Sequence, residues 1–110
     1  MEFNIIATVG TTEVELPLYP GGEAKTPKGK TRKIYTIVLT NTAASANTLT
    51  LRIYKGATLE KSFNILIPQA SSISFVNEKN SPTLLIPSER TLKAVASAAS
   101  VDVLLAVVEE

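Results

Sequence analysis

Residues that could carry out chemistry are scarce in this chain. Histidine and cysteine are both absent, which removes the commonest general base, the commonest transition-metal ligand and the thiol nucleophile together. A cupin-like metal centre would require histidines, so that chemistry closes. A carboxylate-only calcium loop needs acidic ligands at alternating positions, and "NEKNSP" at 77–82 does not provide them. A serine–lysine nucleophile pair remains, Ser62 or Ser88 with a nearby lysine. Both residue types are so common on surfaces that their presence carries little weight. The expectation is a protein with no catalysis, no metal, no cofactor and no small-molecule substrate.

Two binding chemistries remain. The segment "GGEAKTPKGKTRK", residues 21–33, holds Lys25, Lys28, Lys30, Arg32 and Lys33 against one acid, Glu23. Such a loop could contact phosphate or an acidic protein surface. It also reads as a solvated, glycine-flexible connection between sheets, and that reading outweighs the first because the whole chain carries only +1. Of the functional readings, an arm laid over a neighbouring subunit outranks nucleic acid, since only Tyr35 is near enough to stack on a base. Carbohydrate sites commonly use exposed aromatic platforms, yet there is no tryptophan. With Phe3, Phe63 and Phe75 assigned to the core, Tyr19, Tyr35 and Tyr54 are left, and a strand tyrosine such as Tyr54 is more often packing than platform.

The elements that would position these groups read as strands. At 110 residues, 45% hydrophobic and 19% charged, the chain fits one globular domain, residues 1–110, with a flexible basic loop at about 21–33. "NTLTLRIYKG" alternates Leu49, Leu51 and Ile53 with polar residues, the period of a half-buried strand. "RKIYTIVLTNT" is apolar on both faces, as a central strand is, and the small-residue link "NTAASAN" predicts that the two form an antiparallel hairpin. Further strands are expected at 59–67, after the turning Gly56 and before Pro68, in "SSISFVN", in "SPTLLIPSE", and on either side of Gly10. Pro17 demotes the second of that last pair to an edge or a bent strand. The end of the chain, "TLKAVASAASVDVLLAVVEE", could be an alanine-rich helix. As a helix, its apolar stripe would carry Asp102 and its valines would crowd each turn. It is read instead as two strands folded back on each other at "SAAS".

Eight or nine short antiparallel strands without a helix predict a β-sandwich, jelly-roll-like, with an immunoglobulin-like sandwich as the alternative. The last strand is apolar on both faces, since Leu104, Ala106 and Val108 back Val101, Val103, Leu105 and Val107. Either the N-terminal segment covers it through Phe3, Ile5 and Val9, or it builds a subunit interface that includes Val95, Leu104, Ala106 and Val108. The start "MEFNIIATVG" lacks the pattern of a signal peptide, and the longest apolar run, 103–108, is too short to span a bilayer. Synthesis in the cytoplasm and no membrane insertion are the expectation.

Three stretches, "VLTNTAASANTLTLRIYKG", "ILIPQASSISF" and "LLIPSERTLKAVASAASVDVLLAVVEE", together resemble small β-sandwich virion proteins. These are the head-decoration, minor capsid and spike modules of tailed phages and archaeal viruses. The resemblance covers residues 32–110, and "PSER" departs from the Gly-Asp turn often found there. It implies a structural role in a virion, as a homo-oligomer or docked on other capsid proteins, and it transfers no active site. The alternative function is a non-catalytic binding module that recognises a glycan or a protein through loops at one end of the sandwich.

Overall fold

The structure is a computed structural model and describes residues 2–17 and 24–110. Tyr19 and residues 21–23 of the basic segment lie outside the described residues. Nine strands follow one another among the described residues: β1 (Glu2–Val9), β2 (Val14–Glu15), β3 (Arg32–Asn41), β4 (Asn47–Lys55), β5 (Thr58–Ile67), β6 (Ser71–Val76), β7 (Leu84–Ile86), β8 (Arg90–Ala96) and β9 (Val101–Glu109). They form two antiparallel sheets. One has the order β1-β9-β3-β6, with β7 also on β3, and the other has the order β2-β8-β4-β5.

The pairings are nested in sequence. β1 pairs with β9, β2 with β8, β3 with β6 and β7, and β4 with β5. A long two-stranded ribbon rolled upon itself gives this order, which is that of a jelly roll. The tail is β-structured, as expected, with β8 and β9 at the two strand positions. It is not a hairpin, however, because β8 and β9 belong to opposite sheets. The hairpin expected of β3 and β4 is corrected in the same way. Among the described strands, only β4 and β5 are sequence neighbours that pair, around Gly56 at φ 61°, a conformation that glycine adopts at no steric cost.

Two buried asparagines explain the crossings. The Asn41 side-chain amide donates toward the carbonyls of Ser45, Ile67 and Pro68 at 3.0–3.2 Å, while its oxygen accepts from the Ala43 N–H. Asn47 donates to the Ala99 carbonyl and accepts from the Ser97 hydroxyl and the Ala98 N–H. These side chains tie the two ends of the β3–β4 link to the end of β5 and to the β8–β9 link, and so satisfy backbone groups where the chain passes from sheet to sheet.

The core lies between the sheets. β9 supplies Val101, Val103, Leu105 and Val107, β4 supplies Leu49, Leu51 and Ile53, and β8 supplies Leu92, Ala94 and Ala96. Burying each of the large side chains contributes about 1.5–3 kcal/mol. On β3 a register shift between Ile34 and Thr36 replaces strict alternation, so Ile34, Ile37 and Leu39 all reach the core. This extra residue is a β-bulge.

Candidate functional site

The outer face of the first sheet is apolar at its centre. Ile6 lies opposite Leu104, which in turn lies opposite Val38. In the adjoining row Asn4, Ala106, Thr36 and Val76 stand side by side. Ile6 is 81% exposed, Val76 71% and Leu104 36%. A polar row closes one end, where the Thr8 hydroxyl donates to Asp102 at 3.1 Å and the Thr40 and Ser72 hydroxyls lie 2.9 Å apart.

Ion pairs close the other end. Lys79 crosses above β9 to pair with Glu2 and lies 6.0 Å from the Tyr35 ring centroid. Lys33 pairs with Glu110 at 2.8 Å. The hydrogen bond from Lys79 holds the Glu2 carboxyl below its ordinary value, and Lys33 does the same for Glu110. Ala106 and Val108 are buried beneath this end.

Of the four expected interface residues, Leu104, Ala106 and Val108 share this face. Val95 does not. It lies on the second sheet opposite Thr50, among polar residues, because β8 and β9 cross between the sheets. On that face Arg52 pairs with Glu13 at 2.6 Å. Tyr54 also bonds Glu13, and the Lys93 ammonium sits 4.5 Å over its ring. Tyr54 therefore offers no free platform for a sugar. Ile6, Val38 and Val76 were missed as surface residues. The available signal was doubled apolar residues: in "NIIAT" or "SFVN", a strand must turn one of each pair outward.

The basic segment divides. Lys25, Lys28 and Lys30 are exposed, on a stretch fixed by bonds between Thr26 and the backbones of Glu89 and Arg90, and between the Gly29 N–H and the Ser88 hydroxyl. Arg32 and Lys33 are corrected from loop contacts to strand residues, since β3 begins at Arg32. The Arg32 guanidinium is buried, bonded to Glu109 at 3.0 Å and to the Ala24 carbonyl. Ser62 faces outward opposite Arg52, and Ser88 is the acceptor for Gly29. Among the described residues, no three carboxylates gather as a metal site would require, and no helix is long and apolar enough to cross a membrane.

A cleft opens between the sheets along β5 and β6. It measures about 270 Å³ and is lined by Ile37, Leu51, Phe63, Ile65, Phe75 and Leu84, with the Asn64 and Thr83 edges beside them. A second hollow shares Phe63, Thr83 and Leu84 and continues the cleft toward Ile53, Lys61 and Pro87. Phe63 and Phe75, expected in the core, are 39% and 37% exposed and flank this opening. No family model, curated protein or solved structure matches the chain.

Proposed function

We propose that this is a non-catalytic structural protein of a virion, one that self-associates or docks on a capsid lattice and stabilises it. The observation that carries the reading is the apolar centre of the β1-β9-β3-β6 outer face, with Ile6, Leu104 and Val76 exposed inside a polar rim. A water-excluding centre with a polar surround is the anatomy of a protein interface. The opposite outer face carries the Arg52–Glu13 ion pair and the Thr50–Asn64 hydrogen bond, with Leu66 exposed on its edge strand, so the first sheet's face is better suited to lie on an apolar partner. The setting rests on the resemblance of the strand pattern to small virion proteins.

Native mass across a dilution series tests the reading. A discrete oligomer is expected, and Leu104→Lys or Ile6→Lys should dissolve it. In a two-fold interface each change acts twice. Losing about 2 kcal/mol of burial per side then weakens the dimer about a thousandfold. Ile6→Lys leaves the fold intact because the side chain is already in solvent. A monomer at every concentration refutes self-association and leaves docking on a lattice of other capsid proteins.

A further inference from the structure

We propose that the free edge of β5 is a strand-addition site. It takes an extended, otherwise uncharged segment of another protein that is apolar at every second residue and carries an acidic side chain or free carboxylate where it passes Lys61. Among the described residues β5 pairs only with β4, and β6 only with β3. The sandwich therefore has two neighbouring edges whose outer backbone groups lack a ladder partner, with an apolar cleft between them. Exposed edges are ordinarily blunted by charge, proline or a bulge. β5 is blunted in this way only at its start, where the register shifts and Glu60 and Lys61 sit. Residues 62–67, "SFNILI", and 71–76, "SSISFV", carry no charge at all.

The geometry selects a strand over a compact ligand. The Asn64 side chain faces outward, bonded to the Thr50 hydroxyl at 2.9 Å, yet Asn64 lines the cleft. The cleft thus opens against the backbone edge of β5. A segment laid there would continue the ladder and place alternate side chains beside Phe63 and Ile65, facing Phe75. This is β-augmentation, with affinity from main-chain bonds and selection from alternate pockets.

Charge sets the end of the segment. Lys61 pairs in register with the buried Ile53, so it turns toward the cleft that it lines. Glu60, at the same mouth, is already held by Arg90 at 2.9 Å. The available charge at the mouth is therefore positive, and it matches an anionic end. This surface is separate from the Ile6–Leu104 face, so either reading can fail while the other stands.

The test uses a fluorescein-labelled octapeptide of alternating threonine and valine ending in aspartate, and a control peptide with proline at a central position. Saturable binding of the first is expected. The proline control should bind at least tenfold more weakly, having lost a ladder donor. Lys61→Glu should weaken binding about five- to tenfold, and Phe63→Ser should weaken it further, with circular dichroism confirming that both variants fold. Amides within 62–66 should gain protection from hydrogen exchange when the peptide is added. Equal binding of the proline control, displacement by dodecanoate alone, or indifference to both substitutions overturns the proposal. Amides already protected without peptide, increasingly so with protein concentration, would assign the edge to a second copy and also overturn it.

Discussion

Replacing Asn41 should separate the contribution of its donor from that of its shape. The side chain is fully buried, and its amide has two N–H groups for three surrounding carbonyls, those of Ser45, Ile67 and Pro68. Asn41→Ala leaves the Ile67 carbonyl, which lies in the interior, and the Ala43 N–H without this partner. At about 1–3 kcal/mol for each buried group left unbonded, and less where water enters, the expected cost is about 2–3 kcal/mol. Asn41→Asp keeps the shape but turns an anionic oxygen toward the carbonyls. It should cost at least about 1 kcal/mol more than alanine at pH 7. Burial and the carbonyl oxygens raise the pKa of such an aspartate in the folded protein above its unfolded value. The Asp variant should therefore gain stability relative to the Ala variant as pH falls, because the neutral acid can donate one bond again. Urea unfolding of the three proteins at pH 7 and pH 5 measures both effects. An Ala variant within about 0.5 kcal/mol of the parent, or an Asp variant that tracks Ala at both pH values, would refute the idea that this asparagine pins the crossing.

Two further outcomes follow from the ion pairs. Glu109→Leu takes the carboxylate from the buried Arg32 and should cost about 3 kcal/mol, whereas adding Arg32→Met should recover most of it; thermal unfolding of both variants decides. The folded-state pKa values of Glu2, Glu60 and Glu110 are lowered by hydrogen bonds from Lys79, Arg90 and Lys33. Their stabilisation is complete above the ordinary carboxylate value of 4.5 and is lost as pH falls through the lowered values. The Tm should thus be flat near neutrality and drop on acidification below that value, and Lys79→Ala should reduce the drop.

Strand positions were legible because alternation is a local property. The pattern of Leu49, Leu51 and Ile53 survives intact in the fold, and the valines of β9 divide between two faces as their spacing requires. The alanines of β8 illustrate a stronger effect. Ala94 and Ala96 favour helix as isolated residues, but they are buried where the two sheets approach, and packing decides the matter. Pairing was illegible for the same reason that alternation was clear. A strand at 47–55 looks alike whether its partner is the segment before it or the segment after it. Asn41 reads as a turn former in the sequence, and only the fold reveals that its amide gathers carbonyls from two loops. Hydrophobicity alone assigns the phenylalanines to the core, but Phe63 and Phe75 sit on edge strands, where a large side chain stays partly exposed. The outward position of Ile6 depends on which of two adjacent isoleucines faces the core, and its neighbour Ile5 takes that place.

The nested pairing also dictates an order of events during synthesis. β9 is the last of the nine strands to leave the ribosome, yet it lies between β1 and β3 and bonds both along nearly its whole length. The first sheet therefore cannot assemble before β9 has emerged. β1 and β3 emerge early and wait with their central edges unpaired, while the β4–β5 hairpin, whose contacts are local, can form at once. Translation at about 5–20 residues per second makes that wait several seconds long. Closure then depends on contacts between residues as far apart as Glu2 and Val108, which places the domain among slow folders. Until β9 emerges, the unpaired edges of β1 and β3 leave a nascent chain of this design open to strand exchange with a neighbouring copy.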